Sequence, residues 1–469
     1  MKKAITFFIS GLVCLAAFAQ SGNWKGLWRG ELDANGSLLE MYFRMDNPSK
    51  QWVCRMDVPA QSARNLPGYV ETKGKEIQVE FSKLDAVFKG KRTDTNHIKG
   101  LFTQNGSSYP LQLTRVWFDP YGPKPQTPKP PFAYTNEELR FSDPGGRVRF
   151  AATLTRPDTQ SIYPVVILIS GSGNQNRDEQ IGNHRPFAVL ADALTKAGYA
   201  VFRADDRGAG STLCHPDDIQ VNTPRLADDV AFFINFLKKQ KHIDSTRFFL
   251  LGHSEGGIIA PMVAANRNEV RGLILLAPPL SGGRACNLYQ NEIALKQQGI
   301  SNRDIPLYMS LHTALLDSAI AISSDSAFCK TIPDIVSRWK ATGAKHRKTK
   351  LLEKQGTVNP DAICNQYLAF HTEWWKFMLS YNPAADLKKL NCPVLALFGE
   401  KDKQVEAKSN TEAFTSVSLP KPSAHIVFPG LNHLMQRCSR CTVDEYFLLE
   451  ETLNPKVTEA IIQWMGQIK

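Results

Sequence analysis

Past residue 19, this chain of 469 residues lacks any run of the ~20 apolar residues that a membrane-crossing helix requires, so no span is expected in the mature protein. It also lacks a block of like charges. The formal net charge of +11 is spread along the chain, which describes a solvated basic surface and not an arm for nucleic acid, so no nucleic-acid partner is expected. Cysteine is sparse: nine residues at irregular spacings, with Cys438 and Cys441 as the one close pair. A lone Cys-x-x-Cys is half a zinc site, so no metal and no cofactor are expected, and a local disulfide or two ordinary thiols account for the pair.

What is present describes a globular protein with ample core: 42% apolar and 22% charged residues. The length points to two or more domains. Met1-Lys2-Lys3, then a short apolar run ending in Ala17-Phe18-Ala19, has the layout of a cleavable signal peptide over residues 1–19. Its removal takes away two lysines and no acid, lowering the formal charge from +11 to +9. The expected mature protein is secreted or periplasmic, with eight cysteines left in an oxidising compartment.

Residues 21–118 alternate apolar and polar positions in short runs, among them Leu38 to Arg44, Glu76 to Phe81 and Leu111 to Val116. Asp33-Ala-Asn35-Gly36 and Gln104-Asn105-Gly106 supply hairpin turns between such runs. This predicts a small antiparallel β barrel or sandwich of seven or eight strands. Its aromatic residues either form plain core or line a ligand cavity, and core is the commoner fate. Residues 119–131 hold six prolines in thirteen positions, a composition that suits an extended, semi-rigid linker.

From residue 132 onward the pattern is α/β. Two β runs (Glu137 to Phe141, Arg147 to Thr155) precede strands alternating with helices, and the inner strands are continuously apolar, as in a parallel sheet covered on both faces. Residues 283–385 interrupt the alternation with a mostly helical block, read as a cap inserted into the catalytic domain 132–469. Strand and helix resume at Cys392 to Phe398, His425 to Phe428 and a closing helix from Pro455.

The chemistry is organised around Gly252-His-Ser254-Glu-Gly256, placed between the strand Arg247 to Leu251 and a small-residue helix. A serine on such a sharp turn exposes its hydroxyl above the sheet, and the N–H of the next residue, Glu255, points at the same spot. A serine hydroxyl needs a base, and the base needs an orienting carboxylate. Strand Val394 to Phe398 runs into Gly399-Glu400-Lys401-Asp402, making Asp402 the candidate acid with Glu400 second. Strand His425 to Phe428 runs into Pro429-Gly-Leu-Asn-His433, making His433 the candidate base. The second oxyanion donor is sought after strand Ile167 to Ile169, in Ser170-Gly171-Ser172-Gly173, with Ser172 first and Gly173 second.

Ser170 to Glu179, Asp205-Asp-Arg-Gly-Ala-Gly-Ser211, Gly252 to Gly257, Gly399 to Asp402 and Gly430 to His433 occur in that order. Together they resemble an α/β-hydrolase of the secreted bacterial esterase or serine-aminopeptidase-like group, over residues 137–469. The resemblance implies an α/β-hydrolase fold, Ser254 as nucleophile, His433 as base and Asp402 as its orienter, with Asp205, Asp206 and Arg207 as a structural turn. The expected partner is a small-molecule ester or a short peptide. The leading expectation is an esterase working through an acyl-enzyme. A serine aminopeptidase that holds the substrate amine with a cap carboxylate (Glu292, Asp304 or Glu373) is the alternative, and a catalytically silent binding protein the third. Tyr367, Phe370, Trp374, Trp375, Phe377 and Met378 are expected on one cap helix, lining an acyl or leaving-group pocket. His253 is expected to pack under the elbow.

Overall fold

The computed structural model describes residues 24–468 apart from 35–36, 49–50, 59–60, 62, 118–121, 220, 266 and 342–359. The signal peptide expected at 1–19, the Asn35-Gly36 turn and the start of the Pro-rich stretch lie outside the described residues. The chain forms two compact units, Met1–Asp119 and Pro120–Lys469.

In the first unit eight described strands close into an antiparallel barrel: β1 (Gly26–Ala34), β2 (Ser37–Asp46), β3 (Val53–Val58), β4 (Ala63–Lys73), β5 (Glu76–Phe81), β6 (Ala86–Arg92), β7 (His97–Gln104) and β8 (Ser107–Val116). β1 pairs with β8, which removes the free edges of the sheet. Alternation sets what enters the barrel: on β5, Ile77, Val79 and Phe81 are buried, while Glu76 and Glu80 are exposed. The interior is filled by side chains. Phe43 packs against Phe81 and Phe88 with ring centroids 5.5 and 5.4 Å apart, so these aromatics are core. The β7–β8 turn falls at Asn105-Gly106, both at positive φ (48° and 77°), where Asn and Gly are the tolerated residues.

The second unit is a sheet flanked by helices. Its described strands are β9 (Thr135–Ser142), β10 (Val148–Arg156), β11 (Tyr163–Ile169), β12 (Ala200–Ala204), β13 (Leu213–Cys214), β14 (Ile243–His253), β15 (Val270–Leu276), β16 (Val394–Gly399) and β17 (Ala424–Phe428). Their order is β13-β10-β12-β11-β14-β15-β16-β17, with β9 on β10. β9 and β10 pair antiparallel, and β11, β12 and β14 to β17 run parallel. Because those strands are parallel, the loops leaving β11, β14, β16 and β17 all emerge at one end of the sheet. Two apolar cores cover its faces. One is built around Phe150, Phe202, Phe233 and the elbow helix Gly256–Ala264; the other around Phe187, Leu190 and the closing helix Pro455–Met465.

The cap between β15 and β16 contains helices Gly283–Gln297, Ile305–Ala321, Asp325–Ala341, Pro360–Tyr367 and Glu373–Ser380. It has its own core around Leu315, Phe328, Ile332 and Tyr367, and a Cys329–Cys364 disulfide ties two of its helices. No described helix is long and apolar enough to cross a membrane.

The Pro-rich stretch, residues 119–131, is expected as an extended, semi-rigid linker. Its described part packs on the second unit. Lys124, fully buried, donates to the Phe447 and Leu449 carbonyls at 3.0 and 2.8 Å, and Gln126 donates to Leu453 O at 2.7 Å while accepting the Leu453 N–H at 3.1 Å. Prolines cannot enter a ladder, but the polar residues between them can satisfy the backbone of a neighbouring loop.

Candidate active site

β14 ends at His253 and the elbow helix begins at Gly256, leaving Ser254 and Glu255 to make the whole turn. Ser254 sits at φ +51°, a strained value for a residue with a Cβ, held by its N–H donating to Leu276 O at 2.8 Å. The glycines on either side are sterically required. A Cβ at Gly252 would lie 2.0 Å from the Gly256 carbonyl, and one at Gly256 would lie 2.2 Å from the Ile169 carbonyl.

The loop after β17 is folded by Asn432, whose Oδ1 accepts the Leu434 and Gln436 N–H groups, both at 3.0 Å. This turns His433 inward, where its Nδ1 meets Asp402 Oδ2 at 2.7 Å, with both side chains buried. The other carboxylate oxygen of Asp402 accepts the Gln404 and Val405 N–H groups at 2.7 and 2.9 Å, so the acid is fixed before it orients the ring. Tyr289 of the cap donates to the Asp402 carbonyl at 2.9 Å. Glu400, the second candidate acid, is exposed, accepts the Gly430 N–H and pairs with Lys401.

Ser254, Glu255, His433 and Ser172 line one cavity of about 380 Å³. Ser172 comes from the loop after β11. Gly173 lines a separate, adjoining cavity of about 590 Å³. The N–H of Gly171 is taken, donating to Glu179 Oε1 at 2.7 Å. An imidazole that accepts the serine proton and a carboxylate behind it are the parts that nucleophilic acyl transfer requires.

The cap aromatics do not share one helix. Tyr367 and Phe370 belong to the core of the cap, and Phe377 stacks on Tyr381. Trp374, Trp375 and Met378, from helix Glu373–Ser380, line the cavity of Ser254. Helical spacing put six apolar residues in series, but the helix is interrupted: Tyr367 ends one helix, Phe370 lies in a short 3-10 segment, and the Thr372 hydroxyl caps the next helix by accepting the Trp375 N–H.

Three further groups stand at this site. His253 is buried under the elbow and pairs with Glu179, Nδ1 to Oε1 2.8 Å, while its Nε2 meets the His433 carbonyl at 3.1 Å. Burial opposes charge on that ring, but the adjacent Glu179 carboxylate outweighs it and raises the His253 pKa above its ordinary value. Glu255 accepts from Thr223 Oγ1 at 2.6 Å and Trp374 Nε1 at 2.7 Å, joining the elbow to the cap. Asp206 lines the adjoining cavity. Its neighbours Asp205 and Arg207 do serve the turn, in ion pairs with Arg177 and Asp229.

Two loop histidines and the cap carboxylates lie elsewhere or have local partners. His184 is buried against Thr452, where burial lowers its pKa to about 4, and His215 is largely exposed beside Arg147. Of the cap carboxylates, Glu292 pairs with Lys296, Asp304 accepts from Ser301, and Glu373 lines the adjoining cavity. Cys438 and Cys441 form a disulfide, so their sulfurs are committed to each other.

The family described as serine aminopeptidase, S33, matches residues 182–437, more than half of the chain and including Ser254, Asp402 and His433. The chain belongs to this family. The sheet, elbow and cap described above are its α/β-hydrolase fold, preceded here by the eight-stranded barrel. The chain is 24% identical over 312 residues to Esterase EstD of Thermotoga maritima, covering 66% of this chain and 64% of that protein. It is 27% identical over 190 residues to the Quorum-quenching protein AidA of Acinetobacter baumannii, covering 38% of this chain and 60% of that one. The matched region thus spans less than two thirds of either relative. Among solved structures, Est1E of Butyrivibrio proteoclasticus with ferulic acid bound has a TM-score of 0.40 at 17% identity, covering 70% of this chain and 98% of its own.

Proposed function

We propose that the protein is a secreted serine hydrolase that cleaves carboxylic esters through an acyl-enzyme. The observation that carries this reading is one cavity lined by Ser254, at the apex of a strained elbow, and by His433, whose other face is held by Asp402. Ser254 Oγ attacks the ester carbonyl and His433 takes its proton. Asp402 holds the ring and stabilises the imidazolium, and the N–H groups of Glu255 and Ser172 receive the oxyanion. His433 then protonates the leaving alcohol, and a water molecule, activated by the same ring, releases the acid. The name of the Thermotoga relative, an esterase, supports the ester over other acyl substrates.

The family's description favours a second reading, cleavage of an aminoacyl amide. Secretion rests on residues 1–19, and the Cys329–Cys364 and Cys438–Cys441 disulfides suit an oxidising compartment. Labelling of Ser254 by a fluorophosphonate, followed by p-nitrophenyl esters against aminoacyl anilides, tests the chemistry. Esters should turn over faster; faster anilide cleavage replaces this reading with the peptidase. The mass of the exported chain tests the leader.

A further inference from the structure

The cavity of Ser254 has a cap-side wall that the acyl-transfer steps above do not use. Gly283 opens the first cap helix, and a Cβ there would lie 2.3 Å from the Met378 carbonyl, so this helix packs tightly on the one that carries Trp374 and Trp375. Asn287 and Gln290, three residues apart and therefore on one face, line the cavity from the first helix. Gln404 lines it from the loop after β16.

Each of these amides is held by one end. His312 Nε2 lies 2.9 Å from Asn287 Oδ1, and its Nδ1 lies 2.6 Å from the Tyr367 hydroxyl. Oδ1 can only accept, so Nε2 carries the proton and Nδ1 accepts from Tyr367. Burial, with the Arg284 charge second, lowers the His312 pKa and keeps the ring neutral. Asn287, itself buried, is thereby locked with its Nδ2 donors still to be used. The glutamines are held the opposite way round. Gln290 Nε2 donates to Gln404 O at 3.1 Å and Gln404 Nε2 to the Tyr446 hydroxyl at 3.0 Å, which leaves Oε1 of each as an acceptor.

The charged side chains of this cavity are engaged elsewhere. Glu179 pairs with His253, and His433 with Asp402. Glu255, 1% exposed, accepts from Thr223 and Trp374 through Oε1, while its Oε2 has no partner, a want that a neutral hydroxyl donor removes. Beside the amides stand the indoles of Trp374 and Trp375, ring centroids 4.7 Å apart and 76° between their planes. The ligand that matches has C–H faces for an indole and a rim of neutral groups that both donate and accept.

We propose that this wall is a sugar subsite, in which Asn287 Nδ2, Gln290 Oε1 and Gln404 Oε1 bond the hydroxyls of a pyranose ring whose C–H face lies against Trp375. The inference rests on the ester-cleaving reading and narrows its substrates to O-acylated sugars.

The test is inhibition of p-nitrophenyl acetate hydrolysis by the methyl glycosides of glucose, galactose, mannose and xylose against cyclohexanol, a ring of similar size with one hydroxyl. Binding of the same compounds to the Ser254→Ala protein is measured by calorimetry. At least one glycoside should bind about tenfold more tightly than cyclohexanol, which leaves the amides unpaired. Asn287→Leu and Gln404→Met, each checked for a native melt, should each cut that preference by about threefold, and together bring it to about one. Gln404 is half-buried, so its variant keeps the test open where Asn287→Leu fails to fold. Cyclohexanol binding as tightly as every glycoside, or a preference that survives the substitutions, overturns the subsite. If the wild type cleaves no ester but the Ser254→Ala protein shows the amide-dependent preference, the subsite stands and the ester reading falls. If esters are cleaved with no preference for glycosides, the reverse holds.

Discussion

Glu179 and His253 form a buried pair, Oε1 to Nδ1 2.8 Å, directly beneath the elbow that presents Ser254. The same carboxylate oxygen takes the Gly171 N–H, and the other ring nitrogen reaches the His433 carbonyl. One ion pair therefore braces the loops after β11, β14 and β17, which carry Ser172, Ser254 and His433.

Glu179→Gln should weaken that brace, lowering kcat by about ten- to a hundredfold with a smaller effect on KM, since misplaced catalytic groups cost that much. The pH dependence has a defined sign. The folded-state pKa of His253 is raised, so the pair's stabilisation is fully present below the ordinary histidine value and is lost as pH rises through the folded one. Thermal melts from pH 5.5 to 9 should show the gap between wild type and variant narrowing as pH rises. A gap that widens would mean the ring is neutral throughout.

Ser254→Ala and His433→Ala should each reduce ester turnover by on the order of 10⁴–10⁶, with the double variant little worse than either. Asp402→Asn should cost less, because the ring is misoriented but still present. Near-normal turnover in His433→Ala would remove it as the base.

Asp206 gives a stability test independent of turnover. An acid whose folded pKa is raised to about 7 makes the fold lose stability as pH climbs from its unfolded value toward 7. Asp206→Asn does not titrate, so its melting temperature relative to wild type should rise steadily between pH 4 and pH 7.5. A flat difference across that range would show that Asp206 ionises as an ordinary surface acid.

The two cap tryptophans should separate in effect. Trp375→Ala enlarges the cavity of Ser254 and should shift the preferred ester chain length, at ~1–3 kcal/mol for each methylene of fit. Trp374→Ala also strips Glu255 of one of its two donors and should lower kcat for every ester. Equal chain-length profiles for the two variants would deny Trp374 its part in holding Glu255.

Much of this was legible in the chain because it is written locally. A strand that runs into Gly-x-Ser-x-Gly and a small-residue helix makes an elbow wherever it occurs, since Gly252 and Gly256 alone leave room for the turn. Asp402 and His433 each follow an apolar strand by a few residues, and parallel pairing brings such strand ends to one edge. The barrel announced itself through alternation at the period of two and the Asn105-Gly106 turn. Other features depend on which distant segments meet, and no short-range pattern records that. Glu179 and His253 lie 74 positions apart, and a glutamate in a loop reads as surface charge until the fold buries it against a histidine. Asp206 looks like its neighbours in the Asp-Asp-Arg turn, yet they find ion pairs and it faces a cavity. Cys329 and Cys364 sit at an unremarkable spacing that only the packing of two cap helices makes bondable. Local sequence determined the turns and the strand ends; the sheet and the cap decided which charges lost their water, and the cost of that loss gives Glu179, Asp206 and Glu255 their chemistry.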